Sequence, residues 1–281
     1  MATSQISAIR TSLAHLTMVD ASPLELIEAA AEGGFDAIGP RIAAPQPGDV
    51  LAHPVIGNAP LIREIEARLA ATGLQVWDIE VVWLAAHSNV ATLEPMLELG
   101  QRFGARHLLV CGNDPEQDRM DDNLAKLCQL AQKYQLGVAL EFMPFVETKT
   151  LAQAKAKLER VRQPNARLLV DALHLSRSGG NASDLASIDP SLLPYAHLCD
   201  APAVVPPADG LRAEARGGRY YPGLGELPLA EFVRAFPDET PMVVEAPSAR
   251  YAHLSFVERG RICGAATRAL LSGLRGQHHP D

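Results

Sequence analysis

The feature that most constrains this chain is an alternation. An amphipathic helix pattern ends in glycine, a short apolar run follows, and the pair recurs along the sequence. The first helix opens with Ser22-Pro23-Leu24-Glu25, a capping box with proline at the first helical position, and stops at Gly33-Gly34 before FDAIGPRI. A second, from about Asn58, stops at Gly73 before LQVWDIEVVWL; a third ends near Gly104 before RHLLVCG, and a fourth near Gly137 before VALEFMP. Helix patterns over about 148–161, 183–193 and 227–236, and from Ser255 onward, alternate with ARLLVDALH, YAHLCDA and PMVVEAP. With ISAIR at the start, eight strands alternate with eight helices.

Such alternation predicts parallel strands joined by crossover helices. An open doubly wound sheet and a closed barrel both satisfy it. The 281 residues divide into units of about 35, the usual size in a closed barrel. No GxGxxG turn follows the first strand, which weakens the dinucleotide-binding alternative. The expected fold is therefore one (β/α)8 TIM barrel over residues 1–281, with a short flexible tail from about 275.

Composition excludes several function classes. The net charge of −8 lacks the basic footprint that nonspecific nucleic-acid binding needs. No run of about 20 uncharged apolar residues is present to span a membrane. The N-terminus has no basic start, apolar block and small-residue cleavage site, and Cys111, Cys128, Cys199 and Cys263 are widely spaced. Both features predict a cytoplasmic protein with reduced cysteines. The apolar closing helix permits self-association into a homo-oligomer.

Three apolar runs end in a carboxylate: Glu141 in VALEFMPF, Asp171 in LLVDALH and Glu245 in MVVEAPS. His197 stands in the run between the last two, YAHLCDA. The steps of 30 residues from Glu141 to Asp171 and 26 to His197 are each about one unit, and a long loop over about 201–225 accounts for the wider gap to Glu245. In a barrel these C-terminal strand ends share one face, where active sites gather. Carboxylates crowded there repel one another, and an unpaired buried ion costs several kcal/mol. A divalent cation held by carboxylate oxygens and one imidazole nitrogen relieves both costs and suits Mn²⁺, Mg²⁺, Co²⁺ or Zn²⁺. The competing reading pairs each acid with an arginine or a helix end.

Glu141, Asp171-x-x-His174, His197-x-x-Asp200, the Pro-Gly-x-Gly loop at Pro222–Gly225 and Glu245 together resemble the sugar phosphate isomerase/epimerase family of xylose isomerase-like barrels. That resemblance spans nearly the whole chain. It implies that Glu141, Asp171, His197 and Glu245 bind one divalent metal ion, with Mn²⁺ favoured. Glu141 and Glu245 would double as the acid/base pair, and His174 would bind a substrate oxygen. The substrate-contacting arginine would be Arg216 or Arg219, with Arg219 preferred for its nearness to the loop. Leu224 stands where many relatives carry an acid inside that loop.

A metal bound to a carbonyl and its neighbouring hydroxyl acidifies the C–H between them, which glutamates on either side can deprotonate and reprotonate. His174 and Arg219 can share the developing charge. The expected activity is a metal-dependent isomerase or epimerase of a keto sugar or related small polyhydroxylated carbonyl compound. A dehydratase of the inosose or dehydroshikimate type is the alternative, and an endonuclease IV-like nuclease and a non-catalytic binding barrel follow at a distance. Among other polar residues, Glu80 could reach the mouth or pair with a helix, and His87, Asn113 and Asp114 are placed to line a pocket or a loop. Trp77 and Trp83 are expected to pack, Asp200 to orient the His197 ring or the neighbouring loop, and Met18, Arg41 and His253 carry no assigned role.

Overall fold

The structure is a computed structural model that describes residues 9–275 except Pro47. The tail expected beyond 275 lies outside the described residues, as does the first part of ISAIR.

The described strands are β1 (Thr11–Ala14), β2 (Ala37–Gly39), β3 (Gln75–Val76), β4 (Asp78–Leu84), β5 (His107–Gly112), β6 (Gly137–Glu141), β7 (Ala166–Asp171), β8 (Ala196–Leu198) and β9 (Met242–Val244). All pairings between them are parallel, in the order β3-β2-β1-β9-β8-β7-β6-β5-β4. The first strand starts just beyond ISAIR, at Thr11. LQVWDIEVVWL, expected as one strand, is split at Trp77 into β3 and β4. Trp77 donates its N–H to Ile38, and Arg41 bridges to Glu80, so the chain after β2 meets β4 and the barrel nearly closes.

The α-helices are α1 (Pro23–Gly33), α2 (Ala59–Thr72), α3 (Glu94–Arg102), α4 (Gln117–Lys133), α5 (Leu151–Val161), α6 (Ala172–Arg177), α7 (Leu211–Gly217), α8 (Leu229–Arg234) and α9 (Phe256–Arg275). At α1 the expected capping box forms: the Ser22 hydroxyl accepts from the Glu25 N–H while the Glu25 carboxylate accepts from the Ser22 N–H. Gly34 ends that helix at φ 69°, a left-handed conformation natural to glycine. The helix expected over 183–193 is instead two 3₁₀ stretches, Ala182–Ser187 and Pro190–Leu192. Pro190 lacks an N–H and cannot continue the first stretch. Helix α9 seals the outer ring against α1, so closely that a Cβ at Gly260 or Gly264 would run into the Ala29 or Gly33 carbonyl.

Alternation within the strands separates two cores. Outward residues such as Leu108, Val110, Leu140, Leu168 and Val170 pack beneath the helices. Inward residues Ala139, Leu169, Tyr195 and Val243 fill the barrel. Two positions further along each of those strands stand Glu141, Asp171, His197 and Glu245. They form the next inward layer, directly above the apolar fill.

Candidate metal centre and cleft

Register brings these four residues together. Asp171 pairs with His197 across β7 and β8, and Glu141 pairs with Cys111 across β5 and β6. One ligand atom from each of Glu141, Asp171, His197 and Glu245 lies within 4.8 Å of all the others, and all four side chains are buried. From His197 Nδ1 the distances are 3.3 Å to Glu141 Oε1, 3.6 Å to Glu245 Oε2 and 3.8 Å to Asp171 Oδ2.

Arg219 is the main cation on this layer and is itself 1% exposed. Its Nη1 donates to Asp171 Oδ2 at 2.6 Å and to the Glu245 carbonyl at 2.7 Å, and its Nη2 lies 3.0 Å from Glu245 Oε2. Its Nε donates to the Ala215 carbonyl in α7. The arginine pairing weighed against the metal therefore does occur for Asp171 and Glu245, but it leaves Glu141 out. Glu141 Oε1 and both ring nitrogens of His197 are buried with no hydrogen-bond partner, because the 3.3 Å approach between them falls outside hydrogen-bonding geometry. Buried polar atoms in that condition are costly. Three oxygen donors and one nitrogen donor converging on one point fit a divalent ion, and the orphaned atoms are the ones it would satisfy.

Charge states without a metal follow from burial and neighbours. Burial pushes Glu141 up to about 7, against the pull of His197, and the nearby Glu245 adds to the rise. Burial opposes a charged His197, yet Glu245 and Glu141 hold its ring well above the usual imidazole value. Burial opposes the charge of Asp171 more than any single neighbour favours it, but Arg219, His174 and His197 together hold it below the usual carboxylate range. Glu245 is held low in the same way by His197 and Arg219. Burial lowers His174 to about 4, so its ring is neutral at physiological pH.

Above this layer opens a cleft of about 520 Å³, counting its mouth, and Glu141, His174, Arg219 and Glu245 all border it. His174 is the third residue after Asp171, whose carboxylate caps α6 by accepting the His174 N–H at 2.9 Å. Its Nε2 lies 3.3 Å from Arg219 Nη2. Arg216 also borders the cleft, so the structure brings both candidate arginines to it.

Several residues sit elsewhere than the sequence suggested. Trp83, expected to pack, borders the cleft together with Phe145, while Trp77 packs inside the barrel near His107. Arg41, left without a role, also borders it. Glu80 pairs with a helix start, as one of its two expected readings had it: it accepts the N–H groups of His15 and Leu16, the first residues of a 3₁₀ turn over His15–Met18, and lies 3.6 Å from Arg41 Nε. Asp114 takes a bidentate pair from Arg119 at the start of α4, away from the cleft, and His87 and His253 are exposed. Met18 is core. Asp200 does not touch the His197 ring. Its two oxygens accept the N–H groups of Ala201, Gly223, Gly225 and Leu227 and so hold the Pro-Gly-x-Gly loop, from which Leu224 points outward.

The expected loop over 201–225 contains α7, which the sequence reading missed. Its Arg212 lies over the rings of Phe145 and Trp83, at 5.1 and 5.7 Å, and Glu214 on the same helix is clamped by Arg177 at 2.7 Å. The signal available was LRAEAR, whose two arginines are four residues apart on one helix face.

The Xylose isomerase-like TIM barrel family matches residues 27–268, and the chain belongs to it. No curated protein matches the chain in sequence. Solved structures of similar length share the fold at low identity. An IolI protein with a bound zinc atom is 18% identical with a TM-score of 0.76, covering 95% of this chain and 99% of its own. A probable 3-DHS dehydratase, AsbF, from Bacillus anthracis is 14% identical with a TM-score of 0.72, covering 92% and 98%. A D-allulose 3-epimerase from Methylomonas sp. is 17% identical with a TM-score of 0.67, covering 95% and 97%. A xylose isomerase-like TIM barrel/4-hydroxyphenylpyruvate dioxygenase fusion protein, 18% identical with a TM-score of 0.78, covers 98% of this chain, which spans only 45% of that protein's length. No helix among the described residues is long and apolar enough to cross a membrane.

Proposed function

We propose that the chain is a divalent-metal-dependent enzyme that moves a proton next to a carbonyl, an isomerase or epimerase of a keto sugar or related polyhydroxylated compound. The observation that carries this reading is the cluster of Glu141, Asp171, His197 and Glu245, two of whose members, Glu141 and Glu245, border the cleft, with the Glu141 and His197 ligand atoms unsatisfied. One divalent ion, Mn²⁺ in preference to Mg²⁺, Co²⁺ or Zn²⁺, would be held by those four side chains. When bound, it would polarise a carbonyl and acidify the adjoining C–H.

The chain's own groups account for the rest. Glu141 and Glu245 approach from β6 and from the end of β9, on different sides of the cluster, so one can take the proton and the other return it. His174, neutral and beside Arg219, donates to a substrate oxygen as charge builds on it. Arg219 is already engaged with Asp171 and Glu245 and holds the Glu245 carboxylate in place. Leu109 and Met143, apolar residues that also border the cleft, limit water at the reacting carbon.

The test is solvent exchange in D₂O with metal-loaded protein and a panel of ketoses and cyclic keto-polyols. Deuterium at the carbon beside the carbonyl, with an isomer formed, is the expected result. Loss of the C–H hydrogen to solvent accompanied by release of a β-hydroxyl as water would place the chemistry with the dehydratases, a fold neighbour of which is the probable dehydratase AsbF. Turnover with neither exchange nor C–H cleavage rules the proposal out.

A further inference from the structure

Resting on the reading of the cleft as the substrate site, we propose that its substrate is an anion: a carboxylate on a compound with one hydroxylated edge and one apolar face, bound by Arg212 and Arg216 of α7. Four arginines border this one cleft, Arg41, Arg212, Arg216 and Arg219, on a chain whose net charge is −8. Their duties differ. Arg219 is spent on Asp171 and Glu245. Arg41 faces Glu80. Arg212 meets only the Phe145 carbonyl and two aromatic faces, and among the described residues Arg216 has no hydrogen bond or ion pair.

Once a divalent ion joins Arg219 in compensating Glu141, Asp171 and Glu245, two positive charges remain uncompensated, and both face the cleft. The carboxylate nearest to them on their own helix, Glu214, is occupied by Arg177. Asp49 lies in an adjoining hollow that Arg41 and Arg216 also border, and among the described residues no ion pair joins Asp49 or Asp209 to Arg212 or Arg216. Arginines four apart on a helix present two guanidinium forks to one oxyanion, a geometry matched to carboxylate.

The walls add the second half of the assignment. Apolar residues, among them Leu16, Pro45, Val81, Trp83, Met143 and Phe145, supply nine of the sixteen described residues that border the cleft, and apart from Glu141, Glu245 and the arginines His174 is the one charged or imidazole group among them. A neutral ketose, hydroxylated on all sides, would leave several hydroxyls against carbon. A carboxylated compound whose hydroxyls gather on the edge facing the metal cluster and His174 would leave none there.

The test uses two probes of one shape, 3-oxocyclohexanecarboxylate and its uncharged carboxamide, titrated calorimetrically into metal-loaded protein. The acid should bind about tenfold or more tighter than the amide, as expected for charge-assisted pairing, and added salt should narrow the gap. In Arg212→Gln/Arg216→Gln the acid should fall to the amide's affinity while the amide is unmoved, and Arg212→Lys/Arg216→Lys should keep much of the preference. Both arginines are exposed, so thermal melting should confirm that each variant stays folded. Acid and amide binding alike in the wild type, tightly or not at all, overturns the proposal. A preference that persists in the Gln variant overturns it too, since the carboxylate would then sit on the metal. Failure here is separable from failure of the proposed activity: exchange on neutral ketoses without acid preference removes the anion alone, and acid preference without C–H exchange removes the chemistry alone.

Discussion

Two groups of carboxylates are buried in this barrel, and the protein treats them in opposite ways. On the β4 side, Glu80 is fully enclosed, and both its oxygens accept backbone N–H groups, from His15 and Leu16, with Arg41 beside it. Its neighbour Asp78 takes the Tyr195 hydroxyl at 3.3 Å. Gly39 makes room for this pair, since a Cβ there would stand 2.5 Å from Asp78 Oδ1 and 2.9 Å from Glu80 Oε1. On the β6–β9 side, equally deep carboxylates converge on one another and on an imidazole, and Glu141 Oε1 has no donor at all. Burial alone therefore does not mark a site. Asp78 Oδ1 also lacks a partner, so what separates the groups is convergence: Glu80 is held by backbone N–H groups, whereas the carboxylates of the second group are aimed with an imidazole at one common point.

The largest effects should follow from removing that common point. Purified protein should bind about one divalent ion per chain, and His197→Ala or Asp171→Ala should abolish both the ion and turnover, read by metal analysis after dialysis. Glu80→Ala should leave the ion bound. If Glu80→Ala loses the ion while His197→Ala keeps it, the two groups have been assigned the wrong way round. Among variants that retain metal, Glu141→Gln or Glu245→Gln should cost about 10²–10⁴-fold in turnover, the range for loss of a general acid or base.

The comparison sharpens in the metal-free protein. Burial raises Glu141 from 4.5 to about 7, so the folded state holds its proton over a pH range in which the unfolded chain releases it. The contribution of this carboxyl to stability should then be lost as pH rises from about 4.5 through about 7, because the native state holds its proton there, while His15, His107 and His174, each lowered by burial to about 4, contribute in the opposite direction. The charged His197 contributes in the same direction as Glu141, its stabilisation being lost as pH rises through its raised value. Glu141→Gln should remove its own part of the pH dependence and leave metal-free stability equal or higher. Glu80→Ala should instead destabilise, by about 1–3 kcal/mol for each buried N–H left unpaired. Melting curves from pH 4.5 to 8 in chelator decide it, and an unaltered slope in Glu141→Gln would show that its carboxyl is not the titrating group.

The contrast also explains which residues could be read from sequence. Glu141, Asp171 and Glu245 follow apolar residues near strand ends and His197 sits within such a run, on successive strands, so strand alternation and barrel closure carried them to one layer whatever the loops did. Their surroundings depend on contacts distant in sequence. Glu80 is satisfied by the backbone of residues 65 and 64 positions earlier, which no local pattern encodes. Arg41 and Trp83 reach the cleft because of where the chain leaves β2 and β4, and the break at Trp77 and the register shift between Ile79 and Val82 alter the inside–outside count there. Helix α7 has no side-chain N-cap and only seven residues, so its identity rests on the Arg177–Glu214 clamp. The first described strand, TSLA, follows ISAIR and carries one large apolar residue, Leu13, so alternation does not flag it; a strand flanked by β2 and β9 needs few large side chains of its own.

The smallest effect concerns Asp200, a third kind of buried carboxylate that is satisfied entirely by local backbone. Its oxygens accept four N–H groups and tie Gly223, Gly225 and Leu227 to the end of β8, while its own N–H and carbonyl pair with Tyr220. Arg219 is the residue before Tyr220, so this loop fixes the direction from which the guanidinium reaches Asp171. Asp200→Asn keeps the shape but turns one acceptor oxygen into a donor facing N–H groups. A loss of about 1–3 kcal/mol is expected for the contacts it breaks. Metal stoichiometry should be unchanged, because the side chain touches none of Glu141, Asp171, His197 or Glu245. Turnover should fall only modestly, through a looser Arg219. A fall as large as that of Glu141→Gln, with the ion still bound, would mean that Asp200 acts on the substrate and that the satisfied and unsatisfied carboxylates are not separated as the geometry says.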